Sequence, residues 1–397
     1  MKILHVIPSI SATRGGPSQA ILEMVKALHD LNLEVDVITT NDDGNGLLNV
    51  PICTWFEYQG VKIRFFSRFS PPINAVREFA FSVDLTYWLW NHIHEYDLLH
   101  IHGMFSYTST SSMLVARAFR KPYLVGTHGV LCRWALQQSA MRKRVYLRLI
   151  ERANLDKSAG FHVNSHKEKE EIDRLEFHCP KFLIPHGLNS SEIISDASTR
   201  LRDHYNLPAD EPIFLFLARL HPVKGLEYLI QALANLKERR FTFILAGDGD
   251  ELYEAHIQQY LKEQGLQKHV IMTGFVDGEL KQLLLQGADL FVLTSYMENF
   301  GVAVLEALAS GTPALVTSGV ALATDVEQYG LGYVVPQEVN AISSALVQYL
   351  QLSEQQKNLL CRKAQKFVTE NYTWDRIAAN LSNVYQSVIE PRSVYQN

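Results

Sequence analysis

Short apolar runs of strand length alternate with longer stretches of helical period along this chain, in two successive series. That alternation is the pattern of βα units wound into parallel sheets, because parallel neighbours need a long crossover, usually a helix, between them. The first series holds Ile3 to Ile7, a helix from Ser18 to Leu28, Glu34 to Thr39, Val61 to Phe66, Leu98 to His102, Tyr123 to Gly126 and Gly160 to Asn164, closing near Phe182 to Pro185. The second opens at Pro212 to Leu217, continues through Thr242 to Ala246, Val270 to Thr273, Leu290 to Thr294 and Ala314 to Thr317, and ends in helices. Between them Asn189 to Asp210, with Ser190, Ser191, Ser195 and Ser198, is polar and reads as a surface linker. A chain of 397 residues, 47% of them apolar, exceeds what one core usually supports. The expectation is an α/β protein of two Rossmann-like, doubly wound domains facing a cleft, 1–187 and 188–373.

Charge and cysteines narrow the class. A formal net charge of −5 gives no global attraction to nucleic acid, so none is expected as a partner. Cys53, Cys132, Cys179 and Cys361 lie far apart with no C-x-x-C pair, which disfavours a zinc site or a disulfide framework and suits reduced thiols in cytoplasm. Met1 opens directly into a strand, and no apolar run approaches the roughly 18 residues that span a bilayer, so neither signal peptide nor anchor is expected.

The chemistry concentrates after strand ends. Glu298-Asn299-Phe300-Gly301-Val302-Ala303-Val304-Leu305-Glu306 sets two carboxylates eight residues apart around the start of an expected helix, just beyond a buried strand. Open parallel sheets bind ligands there, and the span suits a polyhydroxylated ligand, although two arbitrary glutamates more often mark a solvated face. Arg219 and Lys224, in R-L-x-x-x-K-G after the first strand of the second series, could stabilise a diphosphate. Arg14-Gly15-Gly16-Pro17-Ser18 follows the chain's first strand, where glycines and helix N–H groups favour an anion; it is not G-x-G-x-x-G, so the dinucleotide fingerprint is absent. His128 follows the strand Tyr123 to Gly126. His100 and His102 alternate along theirs, one expected toward a helix layer and the other toward the strand edge, with a satisfied core histidine the default for each. Asp248-Gly249-Asp250 matches a D-x-D metal pattern of only three residues.

E-N-F-G-x-x-x-x-E, taken with Arg219 to Gly225, resembles the signature of retaining GT-B glycosyltransferases of family GT4, and the resemblance covers most of the chain. It implies that Glu298 contacts donor-sugar hydroxyls, that Asn299, Phe300 and Gly301 lie near sugar and phosphate, and that Glu306 accepts from the ribose hydroxyls. It also implies that the loop of Gly15 and Gly16 approaches the diphosphate, and that His128 bonds the donor sugar. Glu298, His128, Arg219 and Lys224 are thus the expected catalytic set. Leu245 to Glu251 resembles the family's G-x-G turn beside the nucleotide, so Gly247 and Gly249 become donor-site candidates and the metal reading of Asp248 and Asp250 is rejected. No cofactor or metal is expected. The last helix, within 374–397, is expected to return to the first domain. Ala218 and His186 stand where the family often has Gly and Asn.

The expected activity is transfer of a hexosyl unit from a nucleoside diphosphate sugar to a hydroxyl acceptor, a sugar or a lipid-linked one, as in assembly of cell-surface polysaccharide or glycolipid. A GT-B sugar-nucleotide epimerase and a non-catalytic sugar-nucleotide binding protein are the alternatives. The segment 131–157 carries seven basic residues (Arg133, Arg142, Lys143, Arg144, Arg148, Arg152, Lys157) interleaved with Val145, Tyr146, Leu147, Leu149 and Ile150. Such a helix either buries its apolar stripe or rests on anionic lipid, the latter placing the protein on the inner face of the plasma membrane.

Overall fold

The computed structural model describes residues 1–14, 16–137, 140–189 and 192–390. Gly15, Ser190 and Ser191 lie outside them. The chain forms two compact units, Met1–Gly187 together with the segment from Trp374, and Leu188–Thr373.

The first unit is built on strands β1 (Lys2–Val6), β2 (Glu34–Thr40), β3 (Trp55–Tyr58), β4 (Val61–Phe66), β5 (Leu98–His102), β6 (Tyr123–Gly126), β7 (Gly160–Val163) and β8 (Lys181–Leu183). They form an eight-stranded sheet in the order β8-β7-β6-β5-β1-β2-β4-β3, parallel except where β3 pairs with β4. Both faces are buried. Leu4, Val6, Leu99 and Ile101 enter one core, and Ile3, Leu98 and Leu124 enter the other. The second core is closed by the helix Gly16–Asp30, through Ile21, Leu22, Val25 and Leu28, and by Trp374–Ile389. In that last helix Trp374, Ile377, Ala378, Leu381 and Tyr385 recur at helical spacing and are buried, which is why it docks along one stripe.

The second unit holds β9 (Ile213–Leu217), β10 (Thr242–Ala246), β11 (Val270–Gly274), β12 (Leu290–Leu293), β13 (Ala314–Thr317) and β14 (Gly332–Val335), parallel throughout, in the order β11-β10-β9-β12-β13-β14. Its strand order reverses between β9 and β12, and that of the first unit between β1 and β5. At such reversals the loops leaving the carboxyl ends diverge and open a crevice for a ligand.

Three expectations need correction. Part of the stretch read as a linker, Ala197–Tyr205, is a helix of the second unit. Its polar sequence hides one buried face, with Leu201 in the core and Arg202 donating to Asp289 at 2.7 Å. β3 and β14 add sheet edges that the apolar runs do not announce. His100 and His102 do not diverge, because residues two apart on a strand share a face; their rings lie 4.1 Å apart and both are fully buried.

The basic segment folds as the helices Arg133–Gln137, Ala140–Tyr146 and Arg152–Leu155, with a π-helical turn over Leu147–Glu151. Tyr146 and Leu147 are half-buried, whereas Met141, Val145, Leu149 and Ile150 are exposed. Among the described residues no helix is long and apolar enough to cross a membrane.

Candidate active site

In the second unit the sequence candidates converge on the two loops at the strand reversal. After β9 the chain runs through Arg219 into the short turn Pro222–Lys224, opened by His221, whose Nδ1 accepts from the Val223 N–H at 3.1 Å. After β12, Thr294 stitches the loops together by donating to the carbonyls of Lys224 and Gly225 at 3.2 and 3.0 Å. Tyr296 N–H donates to the Val223 carbonyl at 2.8 Å. The second loop is then braced from its other side, where Glu298 N–H donates to the Gly319 carbonyl at 3.1 Å. Lys224 Nζ, so placed, donates to the Glu298 carboxylate. Both side chains are mostly shielded from solvent.

Gly301, Val302 and the helix Val302–Ala309 follow, and Glu306 projects from that helix to accept from Lys281 Nζ at 2.7 Å. Phe300 is buried with its ring 6.0 Å from Tyr372, anchoring the loop between the two glutamates. Arg219 is exposed. Partial burial, and then the charges of Arg219 and Lys224, hold the His221 ring below its ordinary pKa. Hence the loop after β9 presents two cations beside a neutral imidazole.

Gly247 and Gly249 have a reason to be glycine in the fold itself. A Cβ at Gly247 would stand 2.0 Å from the Ala218 carbonyl oxygen, and one at Gly249 would stand 2.3 Å from that of Leu220. The loops after β9 and β10 cross backbone to backbone there, with Leu220 N–H donating to Asp248 O at 2.7 Å. These glycines therefore seat the Arg219 loop. Asp250 caps the helix Glu251–Glu263, its carboxylate accepting from the Leu252 N–H at 3.1 Å.

In the first unit Gly16 opens its helix at an exposed position, and a Cβ there would meet nothing within 4 Å. Arg14, just before it, is already committed to Asp42, from Nε at 2.6 Å and Nη2 at 2.9 Å, and to Glu78 at 2.8 Å. His128 is held at φ +47°, a left-handed conformation uncommon outside glycine and often found where function demands a particular orientation. Its Nε2 lies 3.1 Å from His102 Nδ1 and its Nδ1 lies 3.3 Å from Asn164 Nδ2.

Two family patterns match this chain, the glycosyl transferase 4-like domain over residues 15–183 and the glycosyl transferases group 1 domain over residues 197–367. The chain belongs to the group 1 glycosyltransferases.

An uncharacterised glycosyltransferase of Methanocaldococcus jannaschii is 28% identical over 308 residues, 75% of this chain and 77% of its own. The alpha-D-kanosaminyltransferase of Streptomyces kanamyceticus is 24% identical over 65% of this chain and 64% of its own. Among solved structures, sucrose-phosphate synthase of Thermosynechococcus elongatus superposes with a TM-score of 0.79 at 23% identity, covering 98% of this chain and 99% of its own. The Anabaena protein HepE, solved with UDP and glucose, gives 0.74 at 22%, covering 98% and 100%. The fold is that of GT-B enzymes.

Within this glycosyltransferase, Lys224 with Glu298 and the turn of His221 form one assembly, and Glu306 stands on the next helix. Lys281 and Thr294 were not among the sequence candidates. Nothing local marks Lys281, since its partner is 25 residues away, and Thr294 reads as the last residue of an apolar strand.

Proposed function

We propose that the protein is a retaining glycosyltransferase that moves a hexosyl unit from a nucleoside diphosphate sugar to a hydroxyl acceptor without a bound metal. The observation that carries this reading is the Lys224–Glu298 pair at the strand reversal, because it sets a cation and a carboxylate side by side where a diphosphate and a sugar would adjoin. When donor binds, Lys224 turns to the diphosphate with Arg219, Glu298 accepts from sugar hydroxyls and Glu306 accepts from the ribose. The C1–O bond to the diphosphate breaks while the acceptor oxygen bonds C1 on the same face, and the acceptor proton passes to the departing phosphate oxygen. The protein contributes placement and charge stabilisation. HepE was solved with UDP-glucose, which makes that compound the first donor to try.

The test is turnover of UDP-glucose and other nucleotide sugars with sugar and lipid-linked acceptors in excess EDTA, following nucleotide release and the anomeric configuration of the product. Turnover with retention is expected to survive the chelator. Complete loss, restored by manganese, would return Asp248 and Asp250 to the site as metal ligands.

The acceptor side of this reading is a lipid surface. Met141, Val145 and Leu149 recur four residues apart with 73, 48 and 74% exposure, flanked by the exposed Arg142, Arg144 and Arg148. An exposed apolar row between cations is complementary to an anionic bilayer. With about 1 kcal/mol per arginine, three of them contribute on the order of a hundredfold in affinity. Cosedimentation should show binding to vesicles containing phosphatidylglycerol, weaker at high salt, little binding to phosphatidylcholine, and loss in Met141→Glu with Leu149→Glu. Equal binding to both vesicle types would rule out this surface.

A further inference from the structure

Five buried or half-buried histidines of the first unit join Tyr385 in one hydrogen-bonded chain. His162 Nε2 lies 2.8 Å from the Ile184 carbonyl oxygen, and His162 Nδ1 lies 3.1 Å from His100 Nε2. His100 Nδ1 is 2.8 Å from the Tyr385 hydroxyl, which is 2.9 Å from His5 Nε2. His5 Nδ1 is 3.0 Å from His102 Nε2, His102 Nδ1 is 3.1 Å from His128 Nε2, and His128 Nδ1 is 3.3 Å from Asn164 Nδ2. Gly126 leaves room for the link between His102 and His128, since a Cβ there would stand 3.0 Å from both ring nitrogens.

The direction of every bond follows by elimination, because a neutral imidazole has one N–H and one bare nitrogen. The Ile184 carbonyl can only accept, so His162 donates from Nε2 and accepts at Nδ1. His100 then donates from Nε2, the Tyr385 O–H donates to His100 Nδ1, and the Tyr385 oxygen accepts from His5 Nε2. The same step passes through His102 to His128. All five rings become Nε2–H tautomers, and the Asn164 amide supplies the last proton. Burial lowers the pKa of each of the five rings and raises that of Tyr385, as an uncharged chain requires.

Two other readings fail on the same geometry. An amide N–H at one end and a carbonyl at the other exchange no protons, so the chain has fixed polarity and conducts nothing. His5, His100 and His102 have nitrogens within 4.8 Å of one another, but each is already used in the chain, and tetrahedral zinc needs neighbouring nitrogens about 3.3 Å apart.

We propose that Tyr385 is a positioning residue which, through His5 and His102, fixes His128 as the Nε2–H tautomer, so that its Nδ1 meets the ligand as a hydrogen-bond acceptor for a sugar hydroxyl. This rests on the transferase reading above and on the contact of His128 with the donor sugar that the family resemblance implies. The link to Asn164 is the longest in the chain, and a hydroxyl, itself a donor, can take the amide's place. His128 therefore recognises a hydroxyl and does not donate to phosphate.

The full chain labelled with 15N-histidine reports the protonated and bare ring nitrogens directly. At pH 7 the wild-type protein should show His128 with Nε2 protonated and Nδ1 bare. Tyr385→Phe removes the hydroxyl that orients His5, so His128 should become a mixture of tautomers while His162, tied to the Ile184 carbonyl, stays Nε2–H. Transfer should then fall about tenfold in kcat/KM. A wild-type His128 that is Nδ1–H or imidazolium, or a folded Tyr385→Phe whose His128 signals are unmoved, would overturn the proposal. If the variant does not fold, the wild-type spectrum decides. The expected tautomers without any turnover of nucleotide sugar would sink the transferase reading and leave the role of Tyr385 standing.

Discussion

Acidification from pH 7 to pH 5 should unfold the first unit while the second keeps its structure. His5 and His186 are lowered to about 3 and His162 to about 4, chiefly by burial, and His100, His102 and His128 are lowered well below the ordinary value for the same reason. Unfolded histidines titrate near 6.5, so below that pH the unfolded chain binds more protons than the folded one and acid favours unfolding. The stability from these neutral rings is complete above about pH 6.5 and drains as pH falls toward the folded values. Between pH 7 and 5 each group loses about 2 kcal/mol, so His5, His162 and His186 alone remove about 6 kcal/mol. The other three act in the same direction. Glu151, raised by burial, opposes them as one group against six. That loss is comparable with the roughly 5–15 kcal/mol by which a domain is stable. Trp55, Trp88, Trp90, Trp134 and Trp374 all belong to the first unit and the second has none, so tryptophan fluorescence follows one unit alone. Its transition should be complete by about pH 5, where the accumulated loss is comparable with the stability of a domain, ahead of the loss of far-ultraviolet ellipticity. A first change in fluorescence below about pH 4 would mean either that the rings take up protons within the fold or that the first unit is stable by more than their neutrality contributes.

That histidine chain shows what single-residue reasoning cannot reach. Each ring taken alone has the bland default of a satisfied core histidine, and His5 and His162 attract no notice. They meet because β1, β5, β6 and β7 are neighbours in the sheet, and the sixth member, Tyr385, arrives 285 residues after His100. Strand order, which no local pattern encodes, brings them together. The parallel strands themselves are legible, since Ile213–Leu217 and Thr242–Ala246 are covered on both faces and read as unbroken apolar runs. The edges are not. Trp55–Tyr58 mixes Glu57 into an exposed antiparallel strand, and Gly332–Val335 is a short half-buried run behind two glycines. Helix Ala197–Tyr205 is missed for the opposite reason, as only one face touches the core and the rest reads as linker. Lys224 and Glu298 are both visible as candidates, yet their pairing across 74 residues is a property of the strand reversal.

Glu298→Gln and Glu306→Gln should fail in opposite ways, because the two carboxylates hold different lysines and, on the proposed assignment, face different parts of the donor. Glu298 is the partner of Lys224 in the free protein. Its replacement removes an acceptor for sugar hydroxyls worth about 1.5 to 3 kcal/mol, a loss of roughly ten- to two-hundredfold in transfer. The same change releases Lys224, so bare UDP, which has a diphosphate but no sugar, should bind as well as before or more tightly. Glu306 is held by Lys281 at 2.7 Å on the neighbouring helix. Glu306→Gln should weaken bare UDP by about 1 to 3 kcal/mol, roughly five- to two-hundredfold, because the ribose hydroxyls lose a charged acceptor. Lys224→Ala separates the contributions further. It removes the cation that Glu298→Gln only frees, so it should weaken bare UDP where Glu298→Gln does not. Calorimetric titration of UDP against the three variants, with GDP as a second probe of the base, reads all of these differences without an acceptor. Equal losses in the two glutamine variants would show that the ends of the motif are assigned wrongly or that the loop from Glu298 to Gly301 responds as a unit.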